Sequence, residues 1–186
     1  MIKVILASGS PRRKELLAQI IKEFEIDIAL KEEKCPFYIP LKKVPLYLSN
    51  QKAKEVYLKH KDALVIGADT VVICQNQLLG KPKNKQDAKR MIQLLSNKTH
   101  IVITGVTILS KRYKKSFSCT TKVTFKDLSE EEINQYCELK TIYDKAGAYA
   151  IQGEAKEFIE CIDGEYNNVV GLPTKKLQAI LDTILK

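Results

Sequence analysis

Four short segments place reactive side chains where simple folding rules do not call for them. In Ser8-Gly9-Ser10-Pro11-Arg12-Arg13, Ser10 is a natural helix N-cap and Pro11 a natural first helical residue. Arg12 and Arg13 then fall in the first turn, where the helix macrodipole disfavours a cation by about 0.3–1 kcal/mol. Two of the four arginines in the chain stand there. Free helical N–H groups, serine hydroxyls and two guanidinium forks together suit a phosphate. The plainer alternative is two arginines tolerated on an exposed turn.

In Gly67-Ala68-Asp69-Thr70, an acid interrupts the apolar stretch running from Val65 to Ile73. A carboxylate in such a place must find a partner or a metal, because burying it bare is costly. Asp69 is therefore either a metal ligand or general base at a strand end, or a structural acid that caps a turn or pairs with a lysine. Gly80-Lys81-Pro82 holds a lysine in a tight bend, which suits recognition as well as a solvated turn. Lys52, Lys54, Glu32 and Glu33 carry the same ambiguity. In Gly147-Ala148-Tyr149-Ala150-Ile151-Gln152-Gly153, the Gln152 amide both donates and accepts, as the edge of a nucleobase requires.

The elements that must position these residues alternate between strand and helix, which predicts an α/β fold. Residues 3–6 read as a strand and 11–21 as a helix. Residues 35–45, with three prolines, read as an extended connection. Ser49 is expected to cap a helix reaching His60. Residues 63–66 and 71–73 read as separate strand segments, followed by a turn at Gln75-Asn76. Asn84 opens a helix through Leu95, and the β-branched runs 101–109 and 117–125 are expected to pair in a sheet. Ser129 and Glu132 form a capping box for a helix to about Leu139. The final helix starts near Thr174 and lines up Leu177, Ile180, Leu181 and Ile184.

A chain of 186 residues with 45% hydrophobic content can build one core without staples. No apolar run reaches the ~20 residues of a membrane span, and the start reads as a strand. The expected location is therefore the cytoplasm, without membrane partners. Five scattered cysteines and two histidines, His60 and His100, show no metal-ligand or disulfide spacing. The net charge of +9 comes mostly from lysines spread along the whole chain. Without aromatic platforms between the basic residues, this is the pattern of a solvated surface that attracts small polyanions, so no nucleic-acid partner is expected.

In their order and separation, Ser8–Arg13, Gly67–Val72, Gly80–Pro82, Thr104–Val106, Asp144–Gly153 and Val169–Pro173 resemble the Maf family. The resemblance implies a single domain over 1–186, with an elongated two-lobed mixed sheet and flanking helices, similar to inosine triphosphate pyrophosphatases. It also implies an active-site cleft between the lobes. The implied reaction is hydrolysis of a nucleoside triphosphate to the monophosphate and pyrophosphate, with Mg²⁺ or Mn²⁺. By the same resemblance Asp69 is the proton acceptor and a metal neighbour, and Glu33 a second metal acid. Ser8, Arg13, Lys52 and Lys81 bind the triphosphate. Arg12, Thr70 and Gln152 match the dTTP/UTP branch, whereas the 7-methyl-GTP branch differs at all three. Glu32-Glu33 stands where many relatives have Asp-Glu. A homodimer is compatible with the family. The rival readings are a pyrophosphatase for another base, a nucleotide-binding regulator of septum formation or cell shape that does not turn over, and a nucleic-acid-binding module driven by basic charge.

Overall fold

The computed structural model describes residues 2–31 and 34–185. Local signals fix the first turnover from strand to helix. β1 (Val4–Leu6) is apolar and buried throughout. α1 (Pro11–Ala18) begins where Ser10 accepts from the Arg13 N–H and Pro11 takes N1. It buries Leu16 and Leu17 and stops at Ala18, short of the expected Ile21. A two-residue strand, β2 (Glu25–Ile26), pairs in parallel with β1.

α2 (Val44–Lys59) starts earlier than expected, with Pro45 in its first turn, after a 3₁₀ turn at Leu41–Lys43. Ser49 is thus not a cap but a buried interior residue. Its hydroxyl donates to the Leu46 carbonyl at 2.8 Å and lies 2.9 Å from the Thr107 hydroxyl. The two expected strand segments around Asp69 are one continuous strand, β3 (Leu64–Cys74), buried at every position except the half-buried Thr70. β3 turns at Gln75-Asn76, both with positive φ, into β4 (Gln77–Leu79). Two consecutive left-handed residues are what a tight two-residue hairpin requires.

Asn84 accepts from the Asp87 N–H to open α3 (Lys85–Leu95). β5 (Thr99–Leu109) and β6 (Lys114–Phe125) follow as long strands. The capping box of Ser129 and Glu132 is present at the head of α4 (Glu130–Tyr136), which ends before Leu139. β7 (Ile159–Asp163) pairs antiparallel with β6, and α5 (Tyr166–Val170) precedes α6 (Thr174–Ile184). The seven strands form one mixed sheet, in the order β2-β1-β3-β5-β6-β7 with β4 on β3. No helix among the described residues is long and apolar enough to cross a membrane.

The chain divides into two compact units. The first comprises Met1–Asp69, Thr104–Cys119 and Gly171–Lys186. One of its cores joins Ile5, Ala53, Val56 and Val65. Here α2 lies directly against sheet backbone. A Cβ on Gly67 would meet the Ser49 carbonyl oxygen at 2.4 Å, and one on Gly105 would meet the Leu46 nitrogen at 2.4 Å. Both glycines are therefore required by close approach rather than by turn geometry. The second unit comprises Thr70–Ile103 and Thr120–Val170. Its core is aromatic, built around Phe125, Tyr136, Tyr149 and Phe158 with Ile92 and Leu95 from α3.

Candidate active site

In the first unit the turn after β1 is closed on itself. The buried Ser8 hydroxyl accepts from the Ser10 N–H at 3.4 Å and from Arg13 Nη1 at 3.1 Å. Arg13 Nε donates to the Gly171 carbonyl at 2.9 Å, at the entrance to α6. The guanidinium is thus held in a fixed direction, which offsets its unfavourable place in the helical dipole. Arg12 is half-buried in the same turn. The Ser8 and Ser10 hydroxyls, the first turn of α1 and the fixed Arg13 fork thus meet within one turn.

Gly67 and Asp69 are two residues apart on β3 and so share one face of the strand. That face meets α2, and the missing Cβ of Gly67 lets Ala53 come close. The neighbouring Lys52 then reaches Asp69, with Nζ 2.7 Å from Oδ1. The two side chains are only 14% and 11% exposed. The acid inside the apolar strand is therefore charge-compensated, as the lysine pairing expected from the sequence requires.

A neighbouring stripe of α2 holds the segment that precedes it in sequence. The Glu55 carboxylate accepts from the Leu30 N–H at 2.7 Å and the Lys31 N–H at 3.3 Å. One turn earlier, Gln51 donates to the Lys34 carbonyl at 3.3 Å and to the Tyr47 hydroxyl at 3.2 Å. The sequence reading missed Glu55 and Gln51. The signal was there in the four-residue spacing of Tyr47, Gln51 and Glu55, but their backbone partners were not visible in it. The proposed metal acid Glu33, and Glu32 beside it, lie outside the described residues. Burial first, and then the Asp69 charge, push the Cys35 thiol up, which puts Cys35 within electrostatic reach of Asp69.

No group of three or more His, Cys, Asp or Glu side chains gathers as a metal site among the described residues. One or two carboxylates together with substrate phosphates are nevertheless the usual protein share of a Mg²⁺ site, and Asp69 fits that share. Neither histidine joins it. His60 Nε2 lies 2.8 Å from Asp27 Oδ2, and that hydrogen bond is the main cause holding the Asp27 carboxyl low.

In the second unit, half-buried Thr70 follows Asp69 along β3. Lys81 is exposed in its bend, whose buried anchor is Pro82. Gln152 is also exposed, after a turn at Gly147-Ala148 in which both residues have positive φ, 71° and 62°. The Gly147 N–H donates to the Gly80 carbonyl at 3.0 Å, joining this turn to the Lys81 bend. Tyr136 Oη donates to the Ala148 carbonyl at 3.2 Å, and Tyr149 Oη lies 2.7 Å from His100 Nε2. Burial lowers the His100 pKa to about 4, so its ring is neutral near pH 7.

The structure thus joins Ser8 to Arg13 and Lys52 to Asp69 in one unit, and ties the Lys81 bend to the turn before Gln152 in the other.

The sequence model of a family described as "Maf-like protein" matches residues 3–184. A Bacillus cereus protein named "dTTP/UTP pyrophosphatase" is 48% identical over 177 residues, covering 95% of this chain and 93% of that protein. A Bacillus anthracis protein of the same name is also 48% identical over 177 residues, with the same shares of each chain. Among solved structures, the Staphylococcus aureus Ham1 protein superposes with a TM-score of 0.53 at 12% identity, covering 98% of this chain and 99% of its own. A HAM1 protein from Coxiella burnetii gives 0.54 at 10% identity, covering 98% and 100%. At such identities these two show a shared mixed α/β fold.

Proposed function

The chain belongs to the Maf family, and from that premise we propose that it hydrolyses dTTP and UTP to the nucleoside monophosphate and pyrophosphate. The observation that carries the proposal is the Lys52–Asp69 pair, a carboxylate set inside a buried strand with a cation at 2.7 Å. Asp69 accepts a proton from water as the water oxygen bonds to the α-phosphorus. The α–β bridging oxygen leaves with the β-phosphate, and pyrophosphate departs. Lys52, Lys81, Ser8 and Arg13 bind the triphosphate and stabilise the charge that gathers on the leaving group. In such reactions positioning and electrostatics lower the barrier more than covalent chemistry does.

A divalent cation, Mg²⁺ or Mn²⁺, held by Asp69 and Glu33 together with the phosphates, would supply further neutralisation. Arg12, Thr70 and Gln152 read the pyrimidine. The fixed direction of Arg13 and the donor–acceptor amide of Gln152 support these assignments.

The test is pyrophosphate release from dTTP, UTP, 7-methyl-GTP and ATP with Mg²⁺ or Mn²⁺, for wild type and Asp69→Asn. Release from dTTP and UTP, lost in the variant, is the expected outcome. Release from 7-methyl-GTP alone would overturn the base assignment, and no release by folded protein would overturn the reaction.

A further inference from the structure

The turn at Gly147-Ala148 in the second unit has two consecutive residues with positive φ. Ala148 is fully buried yet left-handed at φ 62°, a conformation that costs a residue with a Cβ about 1–2 kcal/mol. Its neighbour Gly147 is also left-handed, and a Cβ there would lie 3.2 Å from three atoms of the Val72 side chain. Strain of this kind persists only where the surroundings over-determine it. Here they do so through Gly147 to Gly80, Tyr136 to Ala148, and Tyr149 to His100.

The last contact is wholly internal. His100 and Tyr149 are both buried, and their rings meet each other and Phe125 edge to face at 4.9–5.4 Å. No described residue partners His100 Nδ1, so Nε2 carries the ring's only hydrogen bond here. A buried ring with one bond remains where a fully apolar ring would satisfy the core, which singles out the Tyr149 hydroxyl as the reason for a histidine.

The turn's Ala148 and its neighbours Val72 and Gly80 lie within four residues along the chain of the three substrate residues assigned to this unit. Val72 lies two residues beyond Thr70 on β3, Gly80 precedes Lys81, and Ala148-Tyr149 leads within four residues to Gln152. We propose that the strained turn, locked by the Tyr149–His100 hydrogen bond, is a positioning hub that holds Thr70, Lys81 and Gln152 in register. This role rests on the pyrophosphatase reading for its kinetic consequence but not for its structural one. Tyr149 and His100 are positioning residues and touch no substrate.

The experiment uses Tyr149→Phe, which keeps the ring and removes the hydroxyl, with His100→Leu as a second variant that removes the same hydrogen bond from its other partner. Hydrogen–deuterium exchange is read by segment, alongside kcat and KM for UTP and for CTP. The hub predicts that exchange rises together in 80–82 and 147–153 in Tyr149→Phe. It also predicts that KM for UTP rises and preference over CTP falls by about three- to tenfold, the worth of one buried hydrogen bond, with kcat less affected. Faster exchange confined to 147–153, or a fall in thermal midpoint with preference and KM unchanged, would overturn it. If Tyr149→Phe fails to fold, His100→Leu is read by the same criteria. Absence of turnover in the wild type would refute the reaction and leave the paired exchange effect to decide the hub.

Discussion

The two units secure their candidate residues by opposite means. In the first, charge does the holding: Lys52 on Asp69, Arg13 on Ser8 and the Gly171 carbonyl, Glu55 on the Leu30 and Lys31 amides. In the second, neutral groups do it: a tyrosine on a histidine, a tyrosine on a carbonyl, and an amide of a left-handed glycine. On the proposed reading, the charged network is the one that meets phosphate. A neutral network fixes shape, which is what discrimination between bases of equal charge requires.

The comparison breaks first at Asp69. Asp69→Asn is expected to lower pyrophosphate release by about 10²–10⁴-fold, the worth of a general base, measured by single-turnover assay on folded protein. Lys52→Met should cost stability of about 3 kcal/mol in urea unfolding, because it removes the cation 2.7 Å from a buried carboxylate. Adding Asp69→Asn to it should restore part of that loss. If the double variant is no more stable than Lys52→Met, the pair is not the electrostatic anchor of its unit.

The neutral network makes the converse prediction with pH. His100 has an ordinary value of 6.5 in the unfolded chain and about 4 in the fold, so between those values the unfolded state binds more protons. Its contribution is fully present above pH 6.5 and is lost as pH falls toward 4, a change of about 3 kcal/mol at most. The urea midpoint of wild type should therefore fall between pH 7 and pH 4.5 by more than that of His100→Gln. Equal slopes would show that acid acts elsewhere, for instance at Asp27, Asp87 or Glu132, whose carboxyls are also held low. The smallest effect belongs to Glu55→Ala. It should change global stability by about 1 kcal/mol or less while raising amide exchange at Leu30 and Lys31. Unchanged exchange there would remove Glu55 as a clasp.

The first unit's candidate residues stood out in the sequence because they break rules that operate within a few positions. Arginines at a helix start and an acid in an apolar run are anomalies that a reader meets one residue at a time. Local caps were legible for the same reason, at Ser10, Asn84 and the Ser129–Glu132 box. Ser49 was misread because a serine ahead of a periodic stretch resembles a cap, while Thr107, its actual partner, is 58 residues away. β3 was read as two pieces because Gly67 and Asp69 look like a break, whereas α2 packing against the strand is what demands the glycine. β2, β7 and α5 went unseen, being two to five residues long and placed by their partners rather than their own pattern. His100 carried no signal at all, since its partner Tyr149 is 49 residues further on.

The five cysteine thiols form a clock with separate hands. Cys74 and Cys137 sit in the aromatic core of the second unit, where burial pushes both thiols up, whereas Cys161 is exposed and Cys35 and Cys119 are partly covered. An alkylating reagent would therefore mark Cys161 early and reach Cys74 and Cys137 only when that core opens. The labelling order, read by mass, would time the opening of the second unit in the unmodified chain.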